Sequence, residues 1–316
     1  MSIEVILTKE IWANNKKYLA GEMIVFQEEE TIKAQQLVES GSGEYVDIGK
    51  ELSNALKIVE NNFPDAIFET KVLLSAVATL LLKDLSNPIG LIFVGNPSNI
   101  KTTVISFGYG LDGITFKSDD FSPKAFVSHA TNVSEEKLEE IDLLPKIKDN
   151  VFLIPEMAPV FSKRKEDLVE NIGILTRIFD GEGLERDSGA RGHRGYTGKY
   201  LFVMVGATTP LGWHIWDILG KLGNRWLFVN VEREEKTEEE LIQLIQDSNY
   251  LAKLVASRQA IHVFVKDRLF FVHPRYSIDW DKQKDKKQVL KYIVKSCSLL
   301  RKLRAPLQIY ESKTSS

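Results

Sequence analysis

From Gly90 to Val231, short apolar runs recur between longer stretches of helical or loop character: Leu91–Val94, Val151–Ile154, Tyr200–Val205 and Trp226–Val231. Continuous apolar runs of this length predict strands buried on both faces, and their alternation with helices predicts a parallel sheet sandwiched by helices. Ahead of it, Ile48–Lys83 carries helical spacing, with Leu56, Ile58, Val59 and Phe63 before a turn and Val72, Leu73, Val77, Leu80 and Leu81 beyond it. The first 45 residues alternate apolar and polar groups around Lys17–Phe26, then give a short helix, Thr31–Glu39, and the turn Ser40–Gly43. That pattern predicts a small β-rich module. Past Val231 the spacing predicts an acidic helix over Thr237–Gln246, a hairpin over Ile261–Val272 and an amphipathic basic helix over Lys284–Arg304. The last of these would bury Val289, Ile293, Cys297 and Leu300 on one face. The expected organisation is α/β: a β-rich module over 1–45, a helical lead-in and sheet domain over 46–231, and a mainly helical, lid-like subdomain over 232–316.

Composition narrows the functional classes. With 43% hydrophobic residues among 316, the chain can bury a real core. A net charge of −3 means that any nucleic-acid contact must rest on a local basic patch. The single cysteine, Cys297, excludes an internal disulfide and a multi-cysteine zinc site, and its place on an apolar helical face predicts an inert core role. A reducing, cytoplasmic setting is the simplest expectation. The five histidines lack paired metal-ligand spacing, and the longest apolar helix candidate, Val72–Leu82, is far short of a membrane span, so no membrane partner is expected.

Chemistry concentrates at Ile92–Thr103, which reads IFVGNPSNIKTT. It nearly completes the phosphate-binding pattern G-x-x-x-x-G-K-[ST]. In that pattern loop N–H groups cradle phosphate, the lysine reaches the β- and γ-phosphates, and the hydroxyl ligates magnesium. Gly95, Asn96, Pro97, Ser98, Asn99, Ile100, Lys101, Thr102 and Thr103 are the candidate nucleotide-binding residues. The context is that of the motif, an apolar strand before the loop and a helix over Lys101–Phe107 after it. One position departs from the pattern: Ile100 stands where a second glycine belongs, and a β-branched residue resists unusual φ. The alternative is an ordinary strand–turn–helix with Lys101 in solvent. Gly108–Gly113 also matches G-x-G-x-x-G, but it follows a helix, whereas a dinucleotide fingerprint must follow a strand.

Hydrolysis needs more than a loop. Val151–Glu156 ends an apolar run in a carboxylate, suited to polarise water or to share magnesium with Thr102, although Pro155 holds the place of the usual metal-associated aspartate. The run from Tyr200 ends in Thr208 and Thr209, hydroxyls able to reach a γ-phosphate. Arg225 stands immediately before the last strand, where it could complete a neighbouring subunit's site. The plainer alternatives are a helix-capping glutamate, a turn before Pro210 and a surface ion pair.

The order of these elements, loop, strand-end Glu156, hydroxyl Thr208, then Arg225 in Asn-Arg-Trp-Leu-Phe, resembles the core of AAA+ P-loop ATPases. Within that group it looks most like the helicases of viruses and mobile elements related to superfamily III and minichromosome-maintenance proteins. The resemblance spans nearly half the chain. It implies an ATP- and Mg2+-dependent motor that assembles as a homo-oligomeric ring and acts on DNA, with Lys101, Glu156, Thr208 and Arg225 as catalytic residues and Thr102 and Glu156 at the metal. The departures at Ile100 and Pro155 leave open a switch or scaffold that scarcely hydrolyses. Between the Glu156 and Thr208 strands, 181–199 is rich in glycine, basic and aromatic residues. Helicases of this kind carry a pore-facing hairpin there, and Arg191, Arg194 and Lys199 would meet phosphates while Tyr196 stacks on a base. A loop against nucleotide or a neighbouring subunit, or a surface insertion, is the alternative.

Overall fold

The computed structural model describes residues 3–304 except 14–15, 21, 28–29, 98–99, 129–132, 190–191, 224, 234–236, 240–241, 243–245, 247–248 and 280. Near the N-terminus, β1 (Ile3–Leu7) pairs antiparallel with both β4 (Met23–Phe26) and β5 (Gly43–Tyr45), while β2 (Ile11–Ala13) and β3 (Lys16–Tyr18) form a separate ladder. Helix α1 (Thr31–Glu39) covers this small sheet, and Val5, Leu7 and Ala34 are the apolar side chains buried between them. Among the described residues the first 45 thus hold short antiparallel strands and one helix, Thr31–Glu39.

The main sheet is parallel throughout and five-stranded, in the order β12–β6–β11–β8–β7. Its strands are β6 (Ile89–Val94), β7 (Thr115–Lys117), β8 (Val151–Ile154), β11 (Val203–Thr208) and β12 (Trp226–Asn230). Alternation along the strands feeds two cores. Leu91, Phe93, Leu153, Val205 and Ala207 join α2 (Ile48–Asn62), α3 (Ile67–Ala78) and α4 (Lys101–Ser106) on one face. On the other face Ile92, Phe152, Ile154 and Met204 join α8 (Lys165–Ile178) and α9 (Trp213–Leu222). Continuous apolar runs are therefore what this sheet requires, because each strand is covered twice. Strand β11 begins at Val203, three residues after the apolar run does, and reaches Thr208, which pairs with Val94.

Between β8 and β11 lies an antiparallel hairpin, β9 (Gly183–Ser188) and β10 (Gly192–Thr197). Short helices α5 (Glu135–Ile141) and α6 (Leu143–Ile147) precede β8, and α7 (Ala158–Phe161) follows it.

Two expectations beyond β12 need correction. Ile261–Val272 is no hairpin: α10 (Tyr250–His262) runs on into a π-helical stretch, Val263–Leu269, and a last turn, Phe270–Val272. Ile261, Phe264, Val265 and Leu269 recur at intervals of three and four, which is helical spacing, and they enter the same core as α2 and α3. Half of the expected helix over Thr237–Gln246, residues 240–241 and 243–245, lies outside the described residues, and 238–239, 242 and 246 are helical. Helix α11 (Lys287–Arg304) exists, yet its described apolar side chains are not buried: Val289 and Ile293 are each 51% exposed and Cys297 is exposed, while the Leu300 side chain lies outside the described residues. Amphipathic spacing makes such a helix without specifying what covers it. Among the described residues no helix is long and apolar enough to cross a membrane.

A buried ion pair ties the exit of β12 to α3. Arg233 Nη2 lies 2.7 Å from Glu69 Oε1, and the carboxylate is 1% exposed, while the same guanidinium donates to the Asp65 carbonyl. Arg233→Met alone leaves that carboxylate buried without its cation, and urea unfolding is expected to show a loss of about 3–5 kcal/mol. The double variant Arg233→Met, Glu69→Leu should recover most of it; equal losses in both variants would refute this account of the pair.

Candidate functional site

Three strand ends converge at the carboxyl edge of the sheet. The Gly95 N–H donates to the Thr208 carbonyl at 3.2 Å, and the Met157 N–H donates to the Ala207 carbonyl at 2.7 Å. Gly206 makes the second closure possible, because a Cβ there would collide with Met157 Sδ. The exits of β6 and β8 are thereby pinned to β11, which sets Thr208 between the start of the loop and Glu156. Chain direction adds a crevice. The chain leaves β6 through α4 on one face and β11 through α9 on the other, so the two segments part above adjacent strand ends, the place where open parallel sheets take ligands.

Lys101 occupies that crevice. Its side chain is 4% exposed, and its ammonium donates to the Gly95 carbonyl at 2.7 Å and the Asn96 carbonyl at 2.6 Å. Burial lowers its pKa from the ordinary lysine value, and the negative charge of Glu156 opposes that fall. The alternative, a Lys101 merely in solvent, is therefore excluded. Ile100 also fits without strain: its φ of −59° and ψ of −5° are ordinary right-handed values, and its side chain packs on the core beside α2–α4. At Ile100 the chain enters α4 without the positive φ for which a glycine would be needed.

The other predicted residues divide. Thr208 is fully buried, and its hydroxyl finds no hydrogen-bond partner among the described residues. Glu156 is exposed at the end of β8, with Oε1 accepting from the Ala158 N–H at 2.8 Å, the capping geometry expected of the plainer alternative. Thr102 is exposed and Thr103 partly buried at the start of α4, and Pro97 is exposed. Ser98 and Asn99 lie outside the described residues. Arg225 sits at the opposite edge, beside the start of β6, since its neighbour Trp226 pairs with Gly90. Five residues of strand, roughly 15–20 Å, separate it from its own loop. In this chain it pairs with Asp180 at 3.1 Å.

The hairpin changes the nucleic-acid expectation most. Asp142, fully buried at the start of α6, receives Arg194 Nη2 and the Tyr196 hydroxyl, each at 2.6 Å on Oδ2, and the Ser128 N–H at 2.8 Å on Oδ1. Arg194 also donates to the Ser128 carbonyl at 2.6 Å. Both side chains thus brace the hairpin from inside and leave the set of candidate nucleic-acid contacts. Composition could not reveal this, because the carboxylate that captures them stands more than fifty positions earlier. Arg191 lies outside the described residues, and Lys199 is exposed, its ammonium 5.4 Å from the centre of the Tyr276 ring.

Sequence reasoning missed Tyr250, whose hydroxyl lies 3.3 Å from Thr103 Oγ1. The only sign of it is an aromatic residue opening an apolar helical run. Comparison with protein-family models and with curated proteins finds no match.

Because Ile100 is relaxed and packed, supplying the missing motif glycine is expected to harm the protein. Ile100→Gly should lower the unfolding free energy by about 1–2 kcal/mol through lost packing and added chain freedom. An unchanged or raised unfolding midpoint would show that the isoleucine is strained after all.

Proposed function

We propose that the chain binds ATP with magnesium in the crevice between the ends of β6 and β11 and acts as an AAA+-type P-loop ATPase. The observation that carries this reading is the Thr208 hydroxyl. A buried hydroxyl without a partner costs about 1–3 kcal/mol, and this one stands where the loop, the buried Lys101 and Glu156 meet. A γ-phosphate in the crevice would give it a partner.

On this reading Lys101 releases the two loop carbonyls and neutralises the β- and γ-phosphates, while loop N–H groups between Gly95 and Thr103 bind their oxygens. The exposed Thr102 hydroxyl and Glu156 carboxylate supply oxygen ligands of the kind magnesium takes, and the ion would neutralise phosphate charge there. Glu156 orients the attacking water, and Thr208 holds the γ-phosphate. Arg225 acts on the site of a neighbouring copy, because its own site lies at the other edge of the sheet; a homo-oligomeric ring supplies that neighbour. The biological action we assign is a motor on DNA of the virus and mobile-element helicase type. Lys199 and Arg191 of the hairpin segment are the remaining basic contacts.

A second reading is favoured by one specific arrangement. Pro155 replaces the carboxylate expected beside Glu156, and Glu156 spends an oxygen on the Ala158 N–H. That arrangement suits a switch or scaffold that binds nucleotide and hydrolyses it slowly.

Calorimetric titration with Mg-ATP is expected to give binding in the wild type that is lost in Lys101→Ala; retained binding in the variant would refute the phosphate site. Thr208→Val removes the unpartnered hydroxyl at nearly constant shape, so it should leave stability unchanged or raised by up to about 1 kcal/mol while turnover falls at least about tenfold. A destabilised variant with full turnover would assign Thr208 to the core alone.

A further inference from the structure

Helix α10 begins at a half-exposed aromatic side chain fastened beside the phosphate loop. The Tyr250 hydroxyl lies 3.3 Å from Thr103 Oγ1, two residues past Lys101, and its ring meets Phe63 edge-on, with centroids 5.7 Å apart at 82°. Phe63 in turn leans on Phe107 with centroids 6.0 Å apart, and both phenylalanines are buried. Tyr250 nevertheless keeps 50% of its surface open. The helix that carries it is held along the loop helix at a second point, where Arg258 Nε donates to the Ser106 carbonyl at 2.9 Å and the guanidinium lies 5.6 Å from the centre of the Tyr109 ring. The ring's place relative to Lys101 is therefore fixed from two sides. Among the described residues it is the exposed aromatic hydrogen-bonded to the loop helix.

An aromatic face held open in this way has a chemical use. A nucleotide whose β- and γ-phosphates lie at Lys101 must lead its ribose and base out of the crevice, and a base carries a π-face whatever its edge. We infer that Tyr250 is the platform on which the base of the bound nucleotide stacks, an inference that rests on the phosphate site proposed above. Phe63 and Thr103 hold the ring in place before ligand arrives, so little conformational freedom is lost on stacking. Stacking reads the face of a base rather than its edge, so the platform favours a purine over a pyrimidine without distinguishing adenine from guanine. It also makes α10 a participant in the nucleotide site. A residue well beyond the sheet thereby contributes to affinity for the base, while the loop contributes affinity for phosphate.

The test separates base from phosphate by titrating wild type, Tyr250→Ala and Tyr250→Phe with Mg-ATP and with inorganic tripolyphosphate plus magnesium, after circular dichroism has shown all three folded. Tyr250→Ala is expected to weaken ATP binding roughly five- to a hundred-fold, the worth of one stacked base, and to leave tripolyphosphate binding unchanged. Tyr250→Phe keeps the ring and its Phe63 contact but loses the Thr103 bond, so it should keep tripolyphosphate affinity and lose less ATP affinity than Tyr250→Ala. A Tyr250→Ala variant that binds ATP as the wild type does, or that weakens ATP and tripolyphosphate equally, overturns the platform and leaves the phosphate site standing. Wild type that binds neither ligand overturns the phosphate site and the platform with it.

Discussion

The hydrogen bonds that close the carboxyl end of β11 govern this molecule. Its last two carbonyls accept the N–H groups of Gly95 and Met157, so the strands on either side cannot leave the sheet independently. Parallel pairing demands long crossovers, and here those crossovers carry α4 to one face and α9 to the other. One backbone arrangement therefore produces both cores and the crevice between them. Everything with chemical character at this edge, the loop, the buried cation and the strand-end glutamate, takes its position from those two bonds.

At that edge the structure keeps polar groups where burial is costly. Lys101 is almost wholly removed from water and is held by two loop carbonyls, and the Thr208 hydroxyl has no partner among the described residues. A fold selected for stability alone would fill these positions with apolar side chains, because an unsatisfied buried hydroxyl opposes folding. Their presence together is the physical ground for reading the crevice as a binding site. Among the described residues, unpartnered buried atoms also occur on α3, at Glu69 Oε2 and Thr70 Oγ1, although Glu69 pairs with Arg233 through Oε1 and Asp142 pairs with Arg194. Those pairs hold elements together, the first joining β12 to α3 and the second joining the hairpin to α6.

The segments that follow β12 are bound unequally to this frame. Helix α10 and its π-helical continuation are built into the core, with Phe264, Val265 and Leu269 packed among residues of α2 and α3. The chain then returns to the amino edge, where Ile278 bridges to Leu82 and Tyr276 donates to Asp149 at 2.6 Å. Beyond that point α11 carries lysines and leaves Val289, Ile293 and Val294 at least half exposed. A lid able to move as a body does not describe α10; it shares side chains with the sheet's own core.

Much of the frame was legible because it depends on local periodicity. Strands β6, β8 and β12, the helices over 31–39, 48–62 and 67–78, and the loop before Lys101 all follow from apolar runs, helical spacing and turn residues that neighbours in the chain supply. The spacing of Gly95 and Lys101 singled out this segment as a candidate phosphate loop. Tertiary structure decided what depends on partners distant in the chain. Arg194 and Tyr196 read as exposed, basic and aromatic until Asp142 is found beneath them, and Ile100 reads as a defect until its φ proves ordinary. Tyr250 carries no sign of its neighbour Thr103, 147 positions away. A side chain's type and spacing fix which interactions it is able to make; which of them it makes depends on which surfaces the packed sheet and helices bring within a few ångströms, and no local pattern encodes that.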